Sequence, residues 1–379
     1  MPATAPAQIE LPPPAPPQSR RRREWSSIMQ DRGLRLSSDT VLSWLTRGSS
    51  LAILGMLVTL LVVLTIAAVP SMKAYGLSFL TSSEWRPNEL EQPRRGPDGK
   101  VVMEDGELVI ETLPPQFGAL PVIYGTAVSS ALALLFAVPL SLGAALFLVR
   151  IAPRIKVSAP VSFLIEFLAA IPSIAYGIWG LFVLVPFLQG VEMSLHQSLA
   201  HVPGLHWMFY STLQVGTSTV ERPIAMTGRD MLCGGLILGI MVLPIITAVS
   251  RDVLSAVPRA QIEGTQALGA TWWQSSWEML RYSRSGLFGA IMLGLARASG
   301  ETMAVTMVIG NNNQIVLSPF APAQTMSSLL ANEFAEASSE LHRSALVQVA
   351  LILLLMSLAF NVAARWLVVG KEARTAAAH

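Results

Sequence analysis

Two ionisable residues in an otherwise apolar run carry the first chemical signal. Residues 292–311 read MLGLARASGETMAVTMVIGN, and Arg297 and Glu301 stand near the middle. Charges at the centre of an apolar helix are costly and normally face a bundle interior or a polar cavity. Spacing of four residues puts the two on one helical face, where they can pair. Ala296, Ala298, Ser299 and Gly300 flank them and let a second helix, or a substrate, approach the backbone. The chemistry available to such a pair is oxyanion recognition. A guanidinium donates two parallel hydrogen bonds to a phosphate edge and stays protonated where an ammonium would not. The carboxylate would hold the arginine between binding events. The competing reading is an ion pair that only locks the bundle.

A second segment is polar and helix-friendly. Arg251–Ser285 reads RDVLSAVPRAQIEGTQALGATWWQSSWEMLRYSRS. It is too polar to cross lipid, but Val253, Leu254 and Val257 recur at helical spacing. Gly269 offers a turn between two short helices. A pair of this kind can dock in a groove of a partner protein, or lie as a hairpin on the membrane surface.

Other chemistries find no support. No complete phosphate-binding loop occurs, because Gly99-Lys100 and Gly370-Lys371 lack its other glycines and hydroxyl. The chain is therefore expected to bind no ATP itself and to carry no cofactor. There is no H-E-x-x-H, no G-x-S-x-G, and a single cysteine, Cys233. His196, His201 and His206 recur every five residues, which puts them on no common helix face. They predict a solvated loop rather than a metal site. A net charge of +2 gives no case for nucleic acid.

The elements that must position these residues are membrane helices. Of 379 residues, 52% are hydrophobic and 13% charged, about half the charged share of a soluble domain. Mean hydropathy is +0.52. Six runs have the roughly 20 apolar residues that a bilayer requires: about 49–70, 120–149, 159–188, 231–250, 286–310 and 344–368. Backbone groups in lipid must be satisfied within each segment, so these runs read as helices. Pro139, Pro172, Pro186 and Pro244 interrupt three of them, for packing geometry or for gating. Glu166, in the third, would pair with a base on a neighbouring helix or cap an inner gate.

Basic residues set the expected orientation. Arg20, Arg21, Arg22 and Arg23, the link with Arg150, Arg154 and Lys156, and the tail with Arg365, Lys371 and Arg374 all belong inside. The acidic stretches 84–111 and 333–340 belong outside. Both termini are then cytoplasmic. Residues 1–48 read as a disordered, Pro-rich and basic arm, 49–70 as the first span, and 71–118 as an outer loop with a small hairpin over Val101–Ile110. Residues 119–369 form the main transmembrane domain and 370–379 the tail.

With these residues in hand, the chain resembles the permeases of ABC importers. Glu263, Gly264 and Thr265, followed by Gly269, resemble the coupling-loop motif of that family, with Gly264 and Thr265 in place of two alanines and Leu280-Arg281-Tyr282 in place of the closing Leu-Pro. GLARASGETMAV resembles the fifth-helix signature of phosphate-specific permeases, with Ser299 in place of a leucine, which makes that face more polar. IEFLAAIPSIAYGIWGLF at 165–182, LPIITAVSRDVL at 243–254 and LANEFAEA at 330–337 are similar to the C-type subunit of the same family. The resemblance implies an all-α polytopic protein with six transmembrane helices and the type I ABC-importer permease (MetI-like) fold, in the bacterial inner membrane. It implies phosphate passage at Arg297 and Glu301 by alternating access. It also implies a second, A-type permease, a dimer of ATP-binding subunits that rests on the coupling loop, and an external phosphate-binding protein. Another oxyanion such as sulfate or molybdate, a phosphate-sensing scaffold and an ion channel are the alternative functions.

Overall fold

A computed structural model describes residues 18–93, 103–104, 107–108, 110–202, 204–215 and 218–376. Helix α1 spans Gln18–Tyr75 and α2 spans Ser78–Thr81. Strands β1 (Trp85–Arg86), β2 (Leu90–Pro93), β3 (Met103–Glu104), β4 (Glu107–Leu108), β5 (Ile110–Leu113) and β6 (Gln116–Phe117) follow. Next come α3 (Leu120–Leu146), α4 (Ser158–Ala170), α5 (Ser173–Trp179) and α6 (Val185–Leu199), then β7 (Tyr210–Val215) and β8 (Ser218–Pro223). The remainder is α7 (Met231–Ser255), α8 (Arg259–Ala267), α9 (Trp272–Tyr282), α10 (Arg284–Ser299), α11 (Met303–Val308), α12 (Met326–Glu333) and α13 (Glu340–Ala376). Wider, π-type turns continue α3 through Phe147–Ile151 and join α5 to α6 through Gly180–Leu184.

The chain divides into Met1–Val63 and Leu64–His379. In the first unit α1 exposes Leu51, Ile53, Met56, Val58 and Val63, the all-round apolar surface of a helix meant for lipid. The sequence places a disordered arm up to residue 48, whereas α1 begins at Gln18. From Gln18 to the apolar run there is no proline, so nothing stops helical hydrogen bonding from propagating. Residues 1–17, with their prolines, lie outside the described residues, as do the side chains of Arg20–Arg23 and of the tail residues Arg365, Lys371 and Arg374, and the whole of residues 377–379.

The second unit is built on α3 and α7. Its core joins Ala133, Ala137, Leu238, Val242, Ile246, Ala290, Ala298, Val305 and Ile309. Small residues make this possible. A Cβ on Gly235 would stand 2.6 Å from the Cβ of Leu132, so α3 and α7 meet almost backbone to backbone. A second core ties the outer loop to the last helix through Phe79, Phe117, Met326, Leu329 and Leu346.

Among the described residues, five helical stretches are long and apolar enough to cross a membrane: Thr40–Tyr75, Leu120–Ile151, Ser173–Leu199, Met231–Ser255 and Glu340–Val362. Two of the six expected spans differ. The span predicted at 159–188 is broken at Ile171 and Pro172, both extended (ψ 129° and 139°), and the crossing helix runs from Ser173 to Leu199. Proline forces the residue before it out of helical geometry. The span predicted at 286–310 is split into α10 and α11 by Gly300, Glu301 and Thr302. Consequently the outer segment at 189–230 is not a plain loop: α6 extends to Leu199, and β7 and β8 pair from Tyr210↔Pro223 to Val215↔Ser218. The hairpin expected over Val101–Ile110 pairs β3 with β4 at its tip and β2 with β5 at its base.

Candidate functional site

The break between α10 and α11 is where the charged pair lies. Its cause is local. Gly300 is a poor helix former, and Ser299 spends its hydroxyl on the Ala296 carbonyl at 3.1 Å. The amide of Glu301 reaches back only to Ala298 (3.3 Å), a tightened turn. Its carbonyl leaves the helical ladder and accepts a 2.6 Å hydrogen bond from the Ser327 hydroxyl of α12. The pair therefore stands at a helix interruption, not inside one continuous span.

Arg297 Nη2 lies 3.8 Å from Glu301 Oε2. That is beyond the roughly 2.7–2.9 Å of a charge-assisted hydrogen bond. The arginine side chain is 50% exposed and the glutamate 8%. Among the described residues Arg297 makes no hydrogen bond, so its donors face open space while Glu301 anchors one side of it. Ser299 is buried (2% exposed) and does not share the open face of Arg297, which corrects the expectation that its hydroxyl adds to that surface. The cause is the helix end, where the hydroxyl finds a free carbonyl.

Three further elements hold the break. Thr325 caps α12 in a reciprocal capping box with Ser328. Thr126 of α3 donates its hydroxyl to the Val122 carbonyl and accepts the amide of Met326 at 2.9 Å. A Cβ on Gly125 would lie 2.2 Å from the Gln324 carbonyl oxygen, so only glycine permits this approach. Thus α3 fixes the start of α12, and α12 fixes the carbonyl of Glu301. No spacing in the sequence announces Ser327, because its partner is 26 residues away.

At the far end of α7, the segment read as a docking loop holds α8 and α9, joined at Gly269 with φ +85°. Glu263 and Gly264 are exposed, Thr265 bonds the Ile262 carbonyl at 2.8 Å, and α8 buries no residue. Ile262 alone tucks beside Leu254, Val257, Met279 and Leu287. Leu268 is 90% exposed, and Trp273 and Trp277 are exposed as well. Thr265, Ala270, Trp273, Gln274, Trp277 and Glu278 line a shallow groove of about 680 Å³. Arg150, read from sequence only as one of the basic residues that set the orientation, is buried. Its Nη2 donates to Ser275 Oγ at 2.8 Å, and its guanidinium lies over the Trp272 ring at 5.8 Å. It links the end of α3 to α9.

Glu166 of α4 pairs with Arg251 of α7 at 3.5 Å, and Arg251 also meets Asp252 at 3.1 Å. Glu166 is 62% exposed, so the contact adds little stability. Pro172 caps α5, and the hydroxyl of Tyr176 spans the interruption to the Leu168 carbonyl at 2.8 Å. The three histidines do not converge: His196 packs edge-on to Phe209, and His206 stacks on Tyr210 at 4.1 Å. Among the described residues no group of three or more His, Cys, Asp or Glu stands close enough to hold a metal.

Membrane helices interrupted at a charged pair, with an exposed two-helix segment at one end, define a transport permease of the bilayer. Residues 137–371 match the model of the family described as "Binding-protein-dependent transport system inner membrane component", and the chain belongs to that family. It is a multi-pass inner-membrane protein with the type I ABC-importer permease fold. Among curated relatives, the phosphate transport system permease protein PstC of Mesorhizobium japonicum is 38% identical over 342 residues, covering 90% of this chain and 93% of the relative. The protein of the same name from Haemophilus influenzae is 38% identical over 308 residues, 80% of this chain and 84% of the relative. A solved chain of the inward-facing MetNI methionine ABC transporter aligns with a TM-score of 0.46 at 15% identity, over 66% of this chain and 95% of that one.

Proposed function

We propose that this chain is the C-type membrane subunit of an ATP-driven phosphate importer. The observation that carries the reading is the geometry of Arg297: a half-exposed guanidinium with uncommitted donors, 3.8 Å from a buried carboxylate, at a helix break. Relatives named as phosphate permeases support the choice of anion. An oxyanion entering the break would take both forward donors of Arg297, while Glu301 behind it keeps the guanidinium aimed. The weakness of the existing contact is useful here, because an anion can displace it without breaking a short hydrogen bond.

The remaining parts follow from the same reading. ATP is bound by a dimer of partner subunits, and the exposed α8–α9 pair around Glu263, Gly264, Thr265 and Gly269 rests on that dimer. An A-type permease completes the bundle, and an external phosphate-binding protein delivers the anion. Both chain ends lie in the cytoplasm. Closure of the motor moves α8 and α9, and Arg150 carries the movement from α9 into α3 through Ser275. From α3 it reaches α12 and the carbonyl of Glu301.

Labelled phosphate uptake into proteoliposomes holding the assembled transporter tests the proposal. Uptake that requires ATP and the binding protein, and that excess sulfate does not suppress, is the expected result. An ATP-hydrolysing complex that carries sulfate or molybdate and leaves phosphate outside would replace the substrate.

A further inference from the structure

A second pair of ionisable residues lies away from Arg297, and the transport reading makes no use of it. Glu192 of α6 and Asp230, the residue that caps α7, are 0% and 1% exposed. The Glu192 carboxylate reaches the backbone two residues before Asp230, so the two carboxyls are neighbours. Each uses one oxygen on a backbone amide: Glu192 Oε2 accepts from Gly228 at 3.1 Å, and Asp230 Oδ1 accepts from Cys233 at 2.8 Å. The other oxygens, Glu192 Oε1 and Asp230 Oδ2, are buried and meet no N–H or O–H of another described residue. The surroundings are apolar, with Val185, Leu188, Cys233 and Ile237 in the adjoining core.

Two carboxyls this close in apolar surroundings cannot both be ionised, because like charges and lost solvation both oppose the second charge. A shared proton removes one charge and supplies the donor that the two free oxygens lack. The backbone around the pair is closely fitted. Gly228 has φ +69°, and a Cβ there would stand 2.3 Å from the Val185 carbonyl oxygen. The 224–230 link is therefore pressed against the start of α6, and the acid pair is the polar contact that closes it.

We propose that Glu192 and Asp230 form a proton-binding latch that holds α6 and the 224–230 link against the start of α7, and that the latch loosens as pH rises. Burial, then the hydrogen bond to Glu192, then its charge, push the Asp230 carboxyl up to about 8. Once the helices part, Asp230 meets water and returns to ordinary carboxyl behaviour. The closed form thus keeps a proton that the open form gives up. Opening then becomes easier with pH, by up to about tenfold per pH unit, until the closed form itself loses the proton.

The neighbouring groups leave this proton to the pair. From α7 the only other titratable group facing it is the Cys233 thiol. Arg229 is adjacent in the chain but exposed. The segment that bonds the amides of Met231 and Leu232 does so through the carbonyls of Ala321 and Pro319 and carries no charge. Tyr176 of α5 bonds Leu168, Tyr124 of α3 bonds Val316, and α11, Met303–Val308, contains no ionisable residue. On α10, Arg297 pairs with Glu301, and on α4, Glu166 pairs with Arg251. His196, one turn beyond Glu192, packs on Phe209 and Tyr210.

The single cysteine reports on the latch directly, since Cys233 is fully buried beside Asp230. In the assembled transporter, the rate of Cys233 modification by an uncharged maleimide is measured on this chain by mass. It is divided at each pH by the rate for the denatured chain, which removes the thiol's own titration. The normalised rate is expected to rise by about tenfold or more between about pH 6 and about pH 8 and to level off above. Glu192→Gln/Asp230→Asn keeps the shape, the hydrogen bond and the helix cap without a titrating proton, and its rate should be flat. A flat wild-type profile overturns the latch even where the double variant fails to fold. So does a double variant whose rate rises as steeply as the wild type. Neither outcome depends on which anion is carried.

Discussion

Gly125→Ala tests the path from α3 to the charged pair. The added Cβ would lie 2.2 Å from the Gln324 carbonyl oxygen and 3.0 Å from its carbonyl carbon, both backbone atoms with no side-chain rotation to relieve the contact. Ordinary contact requires the two backbones to part by roughly 1 Å. The 2.9 Å bond from the Met326 amide to Thr126 would then stretch beyond hydrogen-bond range. Overpacking of this kind costs about 1–3 kcal/mol, and a lost buried hydrogen bond about 1 kcal/mol more. Together they correspond to a fall in Tm of roughly 5–10 °C. Because Met326 precedes Ser327, the displacement also releases the Glu301 carbonyl, so uptake should drop severalfold even below the new Tm. Gly143→Ala, in the same helix, is the control: nothing lies within 4 Å of where its methyl would stand, and alanine favours a helix by about 1 kcal/mol. Thermal unfolding of the purified complex and uptake at a temperature below both midpoints are the assays. An unchanged midpoint with full uptake for Gly125→Ala would refute the bracket of α3, α12 and Glu301. Equal damage from both substitutions would show that the loss is not caused by this contact.

Arg297→Ala should abolish phosphate uptake while the complex still assembles and hydrolyses ATP; normal uptake would remove the arginine from the pathway. Ser327→Ala should reduce uptake and Ser327→Thr restore most of it, since threonine keeps the hydroxyl that reaches the Glu301 carbonyl. Gly269→Ala places a side chain at φ +85° with open space around it. Strain of about 1 kcal/mol should therefore weaken coupling between ATP hydrolysis and uptake more than it lowers Tm. For Asp230 the sign follows from its raised pKa, about 8 against an ordinary 3.8. The folded state holds the proton longer, so the stability it gains is full below about pH 4 and is lost as pH rises through about 8, by at most about 1.4 kcal/mol per pH unit. Thermal midpoints taken from pH 5 to pH 8 should thus fall more steeply for the wild type than for Asp230→Asn.

Much of this protein was legible in its residues. Apolar runs of bilayer length pointed to a polytopic bundle, and the four-residue spacing of Arg297 and Glu301 pointed to a charged pair within it, because both signals depend on local spacing alone. Gly269 marked the turn between α8 and α9 for the same reason: a positive φ is a property of one residue. The interruptions were harder to see. Pro172 was expected to kink a span and instead divides it, and the run at 286–310 gave no warning of the split at Gly300–Thr302. A free carbonyl is tolerable there only because Ser327 arrives from α12.

Composition, charge placement and short-range periodicity thus determined the membrane class, the helical content, and the residue types able to meet an oxyanion. Tertiary structure alone decided which of them act together. It buried Glu301 and left Arg297 open, and it tied Arg150 to Ser275 as a link between α3 and α9. It also joined Glu192 to Asp230 across 38 positions of chain. The physical reason is that burial and partnership depend on which backbones can approach, and near Glu301 and near Glu192 that approach is set by Gly125 and Gly228, whose neighbours are distant in sequence.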